Sequence, residues 1–213
     1  MTISITEYNL GAYYVPDDVK EGICVDVGSN VGCFFEKYAD IFSSVHFYEP
    51  YGPCYEICLE KSKNYPNVVG YNEAVLDKCL DEVDLVPHFN LDSGSNAIKG
   101  DSINEHWGGE PVAKCKTVDL ETILQRCGGK IDYLKCDCET SEYNFLYNKD
   151  LTQVKYIALE LHWQMGKEKY DDLLEYILTT HNLIPRPELS SDISHQIDQN
   201  KELLFKIKYK IKK

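Results

Sequence analysis

Apolar and polar positions along this chain switch period repeatedly, from short continuous runs to helical stripes and back. Ile23, Val25 and Val27 lie in an apolar run that predicts a buried strand, and Val31, Phe34, Phe35, Tyr38 and Phe42 then fall near helical spacing. A second strand is read over residues 44–50. A helix follows on Tyr51, Cys54, Tyr55, Cys58 and Leu59, with Pro53 acceptable in its first turn, and a third strand runs through Val68, Val69 and Tyr71. Strands that alternate with helices in this way imply crossover connections and a parallel sheet.

The middle of the chain is less regular. Residues 80–89 suit a strand, whereas 90–111 are rich in Asn, Ser, Asp and Gly and read as a long functional loop. Order returns with a strand over 112–117, a helix from Asp119 to Cys127, a strand from Ile131 to Asp137, a helix over 141–146 and a strand from Val154 to His162. Tyr170, Leu173, Leu174, Ile177 and Leu178 form a stripe at i, i+3, i+4, i+7 and i+8, so the next helix should cover the sheet. A sixth strand is expected to begin at Leu183-Ile184-Pro185, with Pro187 and Ser190-Ser191 marking irregular chain after it. The final strand alternates strictly: Leu203, Phe205, Ile207, Tyr209 and Ile211 on one face, lysines on most of the other. We read it as a solvated edge strand whose lysines discourage edge-to-edge pairing.

Composition narrows the class. The 213 residues suit one domain, 1–213, with a sizeable core. A net charge of −13 argues against a nucleic-acid partner, because phosphate binding is dominated by lysine and arginine. No apolar run reaches 18 residues and the amino-terminal segment lacks a basic and apolar leader, so no membrane span and a cytoplasmic location are expected. Nine cysteines without a C-x-x-C pair read as reduced, small apolar residues.

The candidate chemistry starts where the first strand breaks. Gly28 and Gly32 let the backbone turn tightly after Val27, and a helix begins immediately after, presenting amide groups to a ligand. Glu49 ends the second strand 21 residues beyond Gly28, where a carboxylate can accept both hydroxyls of a ribose. A dinucleotide turn requires G-x-G-x-x-G, but the position two after Gly28 is Asn30. The pattern from Asp26 to Gly32 is D-x-G-x-N-x-G, which resembles motif I of class I methyltransferases that use S-adenosylmethionine.

Further segments occur in order: Asn72-Glu73-Ala74-Val75, Ser93-Gly94-Ser95, Thr117-Val118-Asp119-Leu120, Lys135-Cys136-Asp137-Cys138-Glu139-Thr140-Ser141-Glu142 and Leu159-Glu160-Leu161-His162. Together they resemble the FkbM family, with Thr140 standing where the family usually carries glycine. The resemblance implies a Rossmann-like class I methyltransferase fold: α/β, with a mostly parallel seven-stranded sheet, an antiparallel C-terminal strand and helices on both faces. It also implies S-adenosyl-L-methionine as cofactor. Asp26, Gly28, Ser29, Asn30 and Gly32 would line its methionine portion, Glu49 its ribose, and Asn72, Glu73 and Ala74 its adenine side. The implied activity is O-methylation of a hydroxyl on a small-molecule or glycan acceptor, in some relatives beside glycosyltransferases.

Strand ends of a doubly wound sheet face the cofactor crevice, which brings Asp137, Glu139 and His162 forward as the catalytic group and Glu160 close to them. His162 has an ordinary pKa suited to a general base, whereas a carboxylate would need burial to raise its own. Oxygens and an imidazole could instead hold magnesium or manganese, and the spacing leaves this open. Lys135 either neutralises nearby acids or is a solvated strand-end lysine, and Trp107 and Trp163 either stack on a sugar or pack. Two other classes stay in view: a non-catalytic cofactor-binding partner of a glycan-modifying enzyme, suggested by Thr140, and an NAD-dependent oxidoreductase, disfavoured by Asn30.

Overall fold

A computed structural model describes residues 13–88, 96–100 and 108–184, and the backbone of strand 203–207. Its strands are β1 Ile23–Val27, β2 Ser44–Tyr48, β3 Val68–Tyr71, β4 Glu73–Val75, β5 Val83–Pro87, β6 Asn96–Ile98, β7 Ala113–Val118, β8 Tyr133–Cys136, β9 Tyr156–Leu159, β10 His181–Ile184 and β11 Leu203–Ile207. The helices are α1 Cys33–Tyr38, α2 Gly52–Ser62, α3 Leu120–Arg126, α4 Glu142–Leu146 and α5 Lys167–Thr180. Ser93-Gly94-Ser95, Trp107, Pro185, Pro187, Ser190-Ser191 and the alternation beyond Ile207 lie outside the described residues, as does most of the loop read over 90–111.

Seven strands form the main sheet in the order β10-β11-β9-β8-β1-β2-β3. β1 is parallel to both β2 and β8, and β8 is parallel to β9. The chain therefore winds outward one way through β1, β2 and β3, and the other way from β8. The point of reversal, between β1 and β8, is where such sheets open a crevice at their carboxyl edge.

Side-chain alternation along the buried strands divides two cores. Val25, Val27, Leu134, Cys136, Ile157 and Leu159 pack with Leu120 and Ile123 of α3, Phe145 and Leu146 of α4, and Leu173 and Ile177 of α5. On the opposite face Cys24, Val45, Phe47, Tyr133 and Tyr156 meet Phe34 and Phe35 of α1 and Cys58 of α2. Burial on both faces explains why these strands read as apolar runs.

Two features depart from the expectation. A second sheet, β4-β7-β5-β6, is present, with β4 and β7 parallel and the other pairs antiparallel; the periodicity had placed β5 and β7 but no separate sheet. The lysine-bearing strand is also not at an edge. β11 inserts between β9 and β10, antiparallel to both, so β10 is the edge, because a strand returning antiparallel from β10 can pair with β10 and β9 at once.

Candidate active site

The sharp turn after β1 is imposed by crowding from β8. Gly28 has φ of 69°, and a Cβ added there would lie 1.7 Å from the Asp137 carbonyl oxygen, so no larger residue fits. The Gly28 and Ser29 amides both donate to the Tyr48 carbonyl, at 3.0 and 3.2 Å, which ties the turn to β2. Asn30 also takes a left-handed conformation, φ 51°, and its amide donates to Glu49 Oε2 at 2.7 Å. The other Glu49 oxygen accepts from the Tyr51 amide at 2.8 Å. Burial pushes the Glu49 carboxyl up to about 8 even against these two donors.

Beneath the turn lies a buried ion pair. Lys135 Nζ is 3.3 Å from Asp26 and 3.7 Å from Asp137, and it donates to the carbonyls of Val27 and Gly28 at 3.0 and 2.7 Å. The ammonium thus neutralises acids and fixes the glycine turn; it is not a solvated strand-end lysine. Burial works against the charged form of Lys135, but Asp26 and Asp137 outweigh it and hold the ammonium above its ordinary value. For Asp26, burial raises the carboxyl and Lys135 opposes it.

A cavity of about 390 Å³ opens over this turn. Gly28, Ser29, Asn30, Glu49, Glu73, Ala74, Asp137 and Glu139 all line it. Asp26, Gly32, Asn72 and His162 do not: Asp26 sits beneath on Lys135, Gly32 begins α1 at φ 79°, and the Asn72 amide donates to the carbonyls of Glu49 and Pro50 at 2.8 and 3.1 Å. These three support the lining from behind. The Glu73 side chain is held by Arg126 of α3, at 2.5 and 3.1 Å, and Arg126 lies over the Tyr71 ring at 4.3 Å.

Tyr13 and Leu85 also line the cavity and were not anticipated; Asn96 and Ile98 line it too, from within the 90–111 segment read as a functional loop, where they form strand β6 instead. Leu85 and Ile98 come from the second sheet, whose non-local pairing leaves no local signal. Tyr13 reaches in from the amino-terminal side, where its hydroxyl lies 3.5 Å from Asp137 Oδ2.

At the far end, four carboxylates surround one imidazole. His162 Nε2 is 3.4 Å from Glu139, 3.8 Å from Glu160 and 4.0 Å from Asp137, while Nδ1 is 2.9 Å from Glu142 Oε1. Burial would depress the His162 pKa, but Glu142, Glu139 and Asp137 outweigh it and raise it well above 6.5. These acids favour the imidazolium over the ordinary, unperturbed histidine that the sequence suggested. Trp163, in the 3-10 turn after His162, is exposed.

Between Cys138 and Glu142 the backbone is strained. Glu139 and Thr140 have φ of 52° and 86°, and for a β-branched residue such a conformation costs on the order of 1–3 kcal/mol. The Cys138 amide donates to Glu142 Oε1 at 3.0 Å, and the Ser141 amide to the Cys138 carbonyl at 3.3 Å, closing the turn that turns Glu139 toward His162. Thr140 is thus accommodated in a conformation that glycine would take freely.

A sheet that reverses at a glycine turn, with a strand-end acid on the turn and an antiparallel strand at its far side, defines the Rossmann-like methyltransferase class. A solved structure shares this fold, and others resemble it more loosely. Methyltransferase FkbM from Methylobacillus flagellatus KT superposes with a TM-score of 0.55 at 14% identity, over 94% of this chain and 46% of its own. SMU.1697c from Streptococcus mutans, solved with S-adenosylhomocysteine (SAH), gives 0.49 at 11% identity over 87% of each chain. An rRNA methylase from Streptococcus thermophilus gives 0.46 at 10% identity over 90% and 92%. The chain thus spans less than half the length of the M. flagellatus protein. No curated protein matches the sequence. Residues 26–184 match the methyltransferase FkbM domain, and the chain belongs to that family.

Proposed function

We propose that this chain is an S-adenosylmethionine-dependent O-methyltransferase acting on a hydroxyl of a sugar or glycan. The observation that carries the reading is one cavity joining the Gly28–Asn30 turn and Glu49 at one end to Asp137, Glu139 and Glu160 at the other. The first end suits a ligand with a ribose and no phosphate: it presents the Glu49 side chain, and Lys135, which also lines it, is taken up by Asp26, Asp137 and the carbonyls of Val27 and Gly28. Ala74, Val75, Leu85 and Ile98 give an apolar wall for a flat base. The second end suits an acceptor that must lose a proton.

In the proposed reaction the acceptor oxygen attacks the sulfonium methyl in line. The new O–CH₃ bond forms as the S–CH₃ bond breaks, its electron pair stays on sulfur to give neutral SAH, and the hydroxyl proton passes to a carboxylate of the Asp137 and Glu139 pair. Positioning supplies much of the acceleration in such a displacement. His162 orients and balances these acids, so Asp137, Glu139 and His162 act as one catalytic group. Trp163, the residue after His162, is exposed and would be the one to offer an apolar face to a sugar ring.

The proposal extends to setting. Nine free cysteines suit a reducing compartment such as the cytoplasm, and a glycan acceptor would place the protein beside glycosyltransferases. Among the described residues no helix is long and apolar enough to cross a membrane. The domain is proposed to be a single unit carrying both ends of the cavity.

The test is transfer of labelled methyl from S-adenosylmethionine to a panel of mono- and oligosaccharides, with the label located by mass spectrometry. An O-methyl ether on a sugar is the expected product. Cofactor binding with label appearing only on nitrogen or sulfur acceptors would overturn the assignment.

A further inference from the structure

The acceptor end of the cavity carries a donor set that proton transfer alone does not require. One oxygen each of Asp137 and Glu160 and one nitrogen of His162 lie within 4.8 Å of one another. Asp137 and Glu160 line the cavity, while His162 stands behind them with only 5% of its surface exposed. Its Nε2 faces the two carboxylates at 4.0 and 3.8 Å, and a cation bound among them would take the place of the proton that these acids otherwise favour on Nε2. Around a six-coordinate ion with bonds of about 2.1 Å, neighbouring ligand atoms are about 3.0 Å apart and opposite ones about 4.2 Å. For three neighbouring positions on such an ion, the two carboxylate oxygens would have to close on Nε2 by about 1 Å, within reach of side-chain rotation.

The imidazole is also oriented as a ligand would be. Glu142 is fully buried, and one of its oxygens meets both His162 Nδ1, at 2.9 Å, and the Cys138 amide, at 3.0 Å. A carboxylate behind the far nitrogen fixes the ring so that Nε2 points outward, the arrangement that supports metal-bound histidines. The strained Glu139–Thr140 turn is what brings Glu142 back under Cys138.

We propose that Asp137, Glu160 and His162 bind a divalent cation at the acceptor end of the cavity, with Glu142 as the positioning residue behind the histidine. Two carboxylates and one imidazole suit manganese, with magnesium the weaker-held ion because it lacks affinity for nitrogen. Three protein ligands leave neighbouring positions open on a six-coordinate ion. Those positions select an acceptor with two adjacent oxygens, a 1,2-diol, and lower the pKa of the bound hydroxyl, whose proton then goes to Glu139, the member of the carboxylate pair that is not a ligand. The diol assignment rests on the methyltransferase reading; the cation site itself does not.

Titrating the purified chain with Mn²⁺, followed by the electron paramagnetic resonance signal of the free ion, tests the site without any acceptor. The expected result is one ion per chain. Glu160→Gln and His162→Gln should each weaken binding more than tenfold, and Glu142→Gln should weaken it about 10- to 100-fold through the histidine. Calorimetry with SAH on the same proteins reports folding and the cofactor end independently. Intact SAH binding without Mn²⁺ binding would sink the cation site and leave the methyltransferase reading standing; Mn²⁺ bound equally by wild type and all three variants would also sink it. Mn²⁺ binding that the variants abolish, with no SAH binding, would uphold the site and overturn the reading. If His162→Gln fails to fold, the half-buried Glu160 variant decides.

Discussion

Glu49 answers to two opposing demands. Its carboxylate holds the turn through the Asn30 and Tyr51 amides, yet burial lifts its pKa from 4.5 to about 8. A folded-state pKa above the unfolded one means that the folded chain holds the extra proton between these values. The stabilisation is complete below about pH 4.5 and is lost as pH rises through about 8. Each pKa unit realised is worth about 1.4 kcal/mol, or about 3–6 °C of melting temperature for a chain of this size. Thermal melts of the ligand-free protein should therefore fall from pH 5 to 8.5 relative to Glu49→Gln, which cannot titrate. Parallel curves for the two proteins would show that Glu49 does not change its protonation across that range. This residue's place was legible in the sequence from its distance to Gly28. Its pKa was not, since burial depends on β1, β2 and α2 closing together.

Among elements, α3 shows how a family motif can be structural. Thr117-Val118-Asp119-Leu120 reads as one of the segments shared with the family, but none of these residues lines the cavity. Asp119 caps α3 by accepting from the Thr122 amide at 2.8 Å, and the Thr117 hydroxyl accepts from the Leu80 amide and donates to the Lys78 carbonyl, both at 2.8 Å. The helix in turn carries Arg126 to Glu73. Asp119→Ala should lower stability by about 1 kcal/mol in urea unfolding, with SAH affinity changed less than threefold. The strands β1, β2, β8 and β9 were legible because burial on both faces writes continuous apolar runs. β4 and β6, three residues each, were not, since their identity comes from partners distant in sequence.

For the whole molecule, the cavity is a joint product of both sheets. The main sheet supplies the turn and the acids, the second supplies Leu85 and Ile98. Hydrogen exchange should report this: SAH should slow exchange at 28–32 and 49–51 and also at 85–87 and 96–98. Protection confined to the main sheet would mean that the second sheet does not close on the cofactor. The sequence located the glycine turn and the strand-end acids because each follows its strand directly. The other wall was hidden because it depends on the pairing of β5, β6 and β7.

The interior position of β11 has a consequence for biosynthesis. During translation β9 is made well before residues 203–207, so its outer edge has no antiparallel partner until β11 leaves the ribosome. Across that interval the nascent chain presents Tyr156, Ile157, Ala158 and Leu159 on an open strand edge, the kind of surface that chaperones and neighbouring chains recognise. Yield of active protein in cells should thus depend on how quickly the ribosome completes the stretch after β10.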